Sequence, residues 1–233
     1  LFSSMFFGKY AMLACYSMYL LGIVIAILTA YIISKIDGSK AEHALLIELP
    51  EYKAPNARTI AVYVWEKVKD YLTKAGTVIF FASIVMWLLL NVGPSGFVTD
   101  ITESFGAVIG KAIVPFFRPL GLGYWQIVVA LISGIAAKEV VVSSCSVLFG
   151  IQNITTAHGM DSFVATLGAM GFGAANAYAL MVFCLLYVPC TATIATIRRE
   201  VGSTKTTAGI VLFQLAVAWV ISFIAFHVAG LFM

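Results

Sequence analysis

Two short stretches of this sequence carry residue types for which a purely apolar segment has no use. In LLYVPCTATIATIRRE, Leu185 to Glu200, Pro189 and Cys190 stand side by side in a hydrophobic run that ends in Arg198, Arg199 and Glu200. Proline has no N–H, and its ring clashes with the carbonyl four residues back, here that of Leu185. The expected result is a kink or unwound turn. Its freed carbonyls lie beside the Cys190 thiol, and Tyr187, Thr191 and Thr193 add hydroxyls within a turn. Thiolate, carbonyl and hydroxyl together suit the transit of a divalent transition metal, because soft sulfur selects such ions over Mg2+ and Ca2+. The thiol must lose its proton to ligate, so binding depends on pH. The competing reading is structural: cysteine as a small apolar filler beside an ordinary proline kink.

The second stretch is SGIAAKEVVVSS, Ser133 to Ser144. A charge at the centre of a spanning helix costs roughly 2.5–3.5 kcal/mol, so it faces the bundle interior or water. Lys138 and Glu139 are sequence neighbours, about 100° apart on a helix, and cannot pair well with each other. Each needs another partner. Ser143 and Ser146 share the Glu139 face at i+4 and i+7, and Ser133, Gly134, Ala136 and Ala137 permit close helix approach. Glu139 is a candidate hard-oxygen ligand for a cation, or a cap for a broken half-helix. The alternative is that both charges pair with other helices or mark a helix end near the interface.

The elements that must position these residues follow from composition. The chain of 233 residues is 61% hydrophobic and only 11% charged, with a mean hydropathy of +1.00. Soluble domains average about 45–50% apolar and about 25% charged. An all-α, polytopic membrane bundle is therefore expected. The net charge of +3 is spread over loops rather than gathered into a patch, which excludes a nucleic-acid partner. Cys15, Cys145, Cys184 and Cys190 lie in apolar runs without a C-x-x-C pair, against a disulfide framework or a structural zinc site. His43, His158 and His227 share no ligand spacing. The chain opens on Leu1 close to an apolar run, as the C-terminal part of a longer polypeptide would.

A spanning helix needs about 20 apolar residues. Tyr10–Ile33, Ala75–Val92, Ala177–Ile197 and Thr207–Phe232 qualify. Tyr124–Gly150 is long enough but carries Lys138 and Glu139, and Phe105–Phe117, interrupted by Gly110, Lys111 and Pro115, reads as re-entrant or interfacial. The seven basic residues between Ser34 and Lys74 make that loop cytoplasmic, and Arg198, Arg199 and Lys205 do the same for the loop after Ile197. Two cytoplasmic loops require an even number of crossings between them. Either Tyr124–Gly150 dips in and returns, or Phe105–Phe117 also crosses. Both need broken or re-entrant helices, tolerated only where buried in protein or lining a cavity. Ile60, Val64, Val68 and Leu72 recur every four residues with charges on the other faces, and Asn56 can cap the helix they define. This predicts an interfacial amphipathic helix feeding into Ala75–Val92. GFGAAN, Gly171 to Asn176, reads as a flexible loop leading into the next helix.

Four fragments occur in order: ELPEYKAP (Glu48–Pro55), AGTVIFFASIVMW (Ala75–Trp87), GIAAKEVVVSS (Gly134–Ser144) and YVPCTAT (Tyr187–Thr193). Together they resemble the second half of the membrane domain of the bacterial ferrous iron transporter family FeoB, its C-terminal segment and second Gate region. Hydropathy and loop charge make residues 1–34 a first transmembrane helix and 35–74 the cytoplasmic loop with its interfacial amphipathic helix. The resemblance implies 75–150 as a Gate-like region and 151–233 as C-terminal membrane helices carrying YVPC. It further implies Fe2+ as transported substrate with no resident cofactor, and a bacterial inner-membrane location. The implied partners are first-gate helices and a GTP-binding G domain upstream, with room for a small accessory protein. Pore-lining cysteines of the family point to Cys190, and more loosely to Glu139; from the two stretches themselves, Lys138, Ser143, Tyr187, Pro189, Thr191 and Thr193 are expected to line the pathway or break its helices. The Gate relationship leaves a nucleoside, or another small polar solute, as alternative cargo. An intramembrane enzyme with Cys190 as nucleophile would need a general base, and no histidine lies nearby in sequence. A membrane assembly subunit without a path would tolerate neutralisation of Lys138 and Glu139.

Overall fold

The computed structural model describes residues 2–37, 56–94, 96–135, 138, 140–151 and 156–232. The fragment ELPEYKAP, His43 and Glu139 lie outside the described residues. What is described is almost wholly helical; its strand content is a ladder pairing Val92–Gly93 with Gly96–Phe97.

Helix α1 (Phe2–Phe7) turns at Gly8 into α2 (Ala11–Asp37). α2 touches α1 and α8 along one side, where Ala14 is buried and Ser17 Oγ lies 3.1 Å from Tyr178 Oη; its other sides carry exposed apolar side chains, among them Met12, Leu13 and Ile27. Exposed apolar faces on such a helix have hydrocarbon or other membrane helices as their surroundings. α3 (Ala57–Asn91) begins as anticipated: Asn56 Oδ1 accepts the Arg58 N–H at 3.0 Å. The amphipathic stripe and the Ala75–Val92 segment are one continuous helix, with no break between them.

Next comes α4 (Phe105–Phe117), capped by the buried Ser104 hydroxyl and holding Pro115 inside it. It bends by 101° into α5 (Trp125–Ser133). Further on, α7 (Ala157–Ala169) bends by 107° into α8 (Ala174–Leu186). The two corners are built alike. Gly121 and Gly171 both take positive φ, +71° and +82°, which a Cβ would strain. In the first, Gly121 N–H reaches Arg118 O and Leu122 N–H reaches Phe117 O; in the second, Gly171 reaches Gly168 and Phe172 reaches Leu167. These are paired helix-ending bonds with a hydrophobic residue following the glycine, and Leu122 and Phe172 are both buried. The corners also lock together: Tyr124 Oη donates to Met170 O at 2.8 Å, and Asn176 Nδ2 donates to Gly121 O at 2.7 Å. GFGAAN is thus a fixed corner rather than a flexible lead-in.

The stretch Tyr124–Gly150 is not a straight helix. α5 ends at Ser133, and α6 (Val140–Leu148) follows a break. Ser133 Oγ donates to Ser144 Oγ at 2.7 Å. Along a straight helix, eleven residues span roughly 16 Å, so the chain must reverse between them. α5 and α6 form a helical hairpin, the shape that the first of the two solutions to the crossing parity requires. The bend of the α4–α5 pair suits a broken span as well as a re-entrant Phe105–Phe117.

Ala177–Ile197, expected as one span, is two helices. α8 stops at Leu186, and α9 (Thr191–Val201) starts after the break Tyr187–Cys190. The thirteen residues of α8 are about 20 Å long, short of the ~30 Å hydrocarbon core. Arg198 and Arg199 occupy the last turn of α9, where positive charge complements the helix dipole. α10 (Thr204–Phe232) packs along α8, and its Trp219 Nε1 donates to Phe116 O at 3.0 Å. Phe2 and Phe6 of α1 meet Phe163 and Phe172 edge-on. The core lies between these elements, around Leu122, Val128, Phe163, Phe172, Leu180 and Phe183. By length and composition, α1–α2 and α10 can cross a membrane, and each bent pair can serve as a broken or re-entrant span.

Candidate cation site where two broken helices meet

A helix end leaves its last carbonyls without intrahelical partners. Both breaks in this fold expose such ends, and the fold brings the breaks into contact. The α5–α6 tip touches the α8–α9 break through the backbone: Thr191 N–H donates to Ile135 O at 3.0 Å. Gly134, which ends α5, lies so close to Tyr187 that an added Cβ would run into the Tyr187 hydroxyl and into Val141.

Lys138, also at the tip, reaches across to the end of α8. Its Nζ donates to Cys184 O at 3.2 Å and to Leu185 O at 3.3 Å, and sits 5.1 Å from the centre of the Tyr187 ring. Of these two carbonyls, that of Leu185 is the one Pro189 leaves without a helical partner, and the ammonium of Lys138 holds it. Charge-assisted hydrogen bonds of this kind contribute about 1.5–3 kcal/mol, on top of the negative end of the α8 dipole. Lys138 has thus found its partner in backbone carbonyls and an aromatic face, not in a carboxylate.

Cys190 caps α9 from the break, is partly exposed, and its Sγ lies 3.3 Å from Thr193 Oγ1. Thr193 is exposed, and Pro189 is half-buried in the break. Tyr187, 4% exposed, closes the end of α8. Its Oη and the Thr191 Oγ1 are buried atoms without a hydrogen-bond partner. Ser143 is exposed on α6; the hydroxyl on the hairpin's inner side belongs to Ser144, one residue later. Ser146 donates to Ile151 O and closes the end of α6. All four cysteines are thiols, and among the described residues no three His, Cys, Asp or Glu side chains gather in ligand geometry. His227 Nδ1 is bonded to Phe223 O of its own helix.

Sequence reasoning reached the Leu185 carbonyl through Pro189, but it did not single out the carbonyl of Cys184, the other one that Lys138 holds, nor that of Ile135. Backbone atoms carry no residue-type signal. The clue available was Pro189, which frees the Leu185 carbonyl.

The fold and this site define a polytopic helical membrane protein in which two broken helices meet and one half-helix end is held by the Lys138 ammonium; open half-helix ends are what membrane transporters use to build substrate and ion sites. The family model described as Gate, nucleoside recognition, matches residues 72–204. The model described as Ferrous iron transport protein B C terminus matches residues 15–67. The Fe(2+) transporter FeoB of Staphylococcus aureus (strain MSSA476) is 37% identical over 232 residues, covering 100% of this chain and 34% of that protein. The Fe(2+) transporter FeoB of Methanocaldococcus jannaschii is 38% identical, over 96% of this chain and 33% of its own. A Fe(2+) transport protein A/FeoB fusion protein of Porphyromonas gingivalis is 29% identical, over 100% of this chain and 32% of its own. No solved structure matches the chain. The chain belongs to the Gate family and to the FeoB family, where it corresponds to the C-terminal membrane part. It spans about a third of the length of the relatives it matches. The Gate match extends past residue 150, so both breaks and YVPC fall within it.

Proposed function

We propose that this chain forms part of a path for ferrous iron across the bacterial inner membrane, with Fe2+ as cargo rather than resident cofactor. The observation that carries the reading is the contact between the two breaks. There a half-helix end holds the positive charge of the Lys138 ammonium, at the break that also carries the Cys190 thiol and two hydroxyls without hydrogen-bond partners. Backbone carbonyls at half-helix ends are the usual cation ligands of membrane transporters, and sulfur favours Fe2+ over harder ions. Whole-chain likeness to proteins named for Fe(2+) transport supports the same cargo, and the Gate description does not by itself favour a nucleoside. A nucleoside would need several fixed polar side chains around one cavity.

The transporter reading also accounts for the half-buried Cys190 without a catalytic base. Upstream first-gate helices, a G domain that hydrolyses GTP, and a small accessory protein complete the proposed assembly. The fusion of Fe(2+) transport protein A to FeoB in the Porphyromonas gingivalis relative supports the last of these. The test is 55Fe2+ uptake by the full-length transporter in membrane vesicles. Cys190→Ser and Glu139→Ala each lower uptake at least about tenfold, equivalent to ~1.4 kcal/mol of lost cation stabilisation, while insertion is unchanged and excess nucleoside does not compete. Undiminished uptake in both variants removes these residues from the path.

A further inference from the structure

We propose that the C-terminal end of α8 is a cation site which the chain's own Lys138 ammonium occupies at rest, and that a divalent cation enters it by displacing that ammonium. The inference rests on the transport reading and names how its site is held when no cargo is bound.

Lys138 does not belong to α8. The hairpin tip, 46 residues earlier in the chain, delivers it to the carbonyls of Cys184 and Leu185. A permanent helix cap is ordinarily supplied by the helix's own flanking residues. Here the cation arrives on a separate element through a four-carbon tether that lets an ammonium move by several ångströms. Lys138 is also exposed, so its own chain does not block the ammonium from leaving.

The break also carries polar side-chain atoms that this occupant does not use. An ammonium has three N–H groups and no lone pair, so it takes carbonyl oxygens and the face of an aromatic ring. It meets Tyr187 through the ring at 5.1 Å. The hydroxyl of that same, almost fully buried side chain has no hydrogen-bond partner, and the Thr191 hydroxyl is in the same position. Burying such a group unpaired is costly. A metal ion accepts lone pairs from carbonyls and hydroxyls alike, and so satisfies oxygens that the ammonium leaves idle. The resting lysine keeps the half-helix end neutralised, and it sets a threshold that a monovalent ion of equal charge gains little by crossing.

The test uses the full-length transporter in detergent under anaerobic conditions, with Co2+ as probe. In wild-type protein, the reactivity of Lys138 toward an amine-acetylating reagent is read by mass spectrometry with and without the metal. Displacement raises Lys138 labelling several-fold on addition of Co2+. In Lys138→Met the competitor is gone. If the ammonium fills the site for all but a tenth of the time, apparent Co2+ affinity rises about tenfold, while Lys138→Arg, which retains a competing cation, stays near wild type. Labelling unchanged or reduced by bound Co2+ overturns the proposal even if the methionine variant does not fold, as does an affinity in Lys138→Met at or below wild type. Co2+ binding with unchanged labelling overturns this inference alone; failure of any protein to bind Co2+ overturns the transport reading with it.

Discussion

Gly134→Ala perturbs the contact between the breaks by a single methyl group. The backbone at Gly134 is right-handed helical, φ −66°, so alanine meets no strain there. On conformational grounds alone the change should stabilise the protein by about 0.4–1 kcal/mol. Packing opposes this. The new Cβ falls well inside van der Waals contact with the Tyr187 hydroxyl and with Val141, and overpacking of this kind costs about 1–3 kcal/mol. The net effect is a loss of roughly 0–2.6 kcal/mol by these two terms, centred near 1. Tyr187→Phe should behave in the opposite way. It deletes a buried hydroxyl that has no partner, and removing an unsatisfied polar atom is neutral or stabilising. The double variant separates clash from general damage: with the hydroxyl gone, alanine loses one of its two obstacles, and at least half the destabilisation should return as coupling. The assay is unfolding in mixed micelles across the four-member cycle, read by circular dichroism. Additive effects, or Gly134→Ala more stable than wild type, refute the close approach of the tip to Tyr187. If that hydroxyl serves the cation, Tyr187→Phe also lowers 55Fe2+ uptake while leaving the protein at least as stable.

Two further outcomes follow from the structure. Asn176→Ala removes the bond to Gly121 O and the acceptor for the Gly173 N–H; at about 0.5–1.5 kcal/mol per bond it lowers stability by roughly 1–3 kcal/mol, and Asn176→Asp, which keeps only the acceptor, loses part of that. Equal stability of the alanine variant and wild type in the same unfolding assay counts against the locked corners. Asp100, in the loop before α4, has its carboxyl held below the ordinary aspartate range, chiefly by the Thr102 N–H. A depressed folded pKa means its contribution is complete above the unfolded value of about 3.9 and is lost as pH falls through the lower folded one. Asp100→Asn flattens that part of the acid-unfolding profile; an identical profile in variant and wild type removes the capping bond from the account.

Much of this protein was written in residue types and their periods. The excess of apolar residues implied membrane helices because no soluble core could absorb them, and Asn56 marked a helix start that the structure confirms. Pro189 announced the break after α8, since an imino acid cannot donate the missing hydrogen bond. Other features had no such marker. GIAAKE contains no proline and has similarly apolar stretches on both sides, so the reversal of α5 into α6 was open until Ser133 was seen bonded to Ser144. GFGAAN looked flexible because glycines suggest freedom; its rigidity comes from Tyr124 and Asn176 across the two corners.

From the sequence alone came a helical membrane protein with a broken segment at Pro189–Cys190 and two charges stranded in an apolar run. Hydropathy and proline stereochemistry act locally, and they need no knowledge of neighbours. The tertiary structure alone decided that Lys138 spends its charge on the carbonyls of Cys184 and Leu185. Those atoms are identical in every residue, and they become distinctive only when a helix end is left open and a distant loop is folded against it.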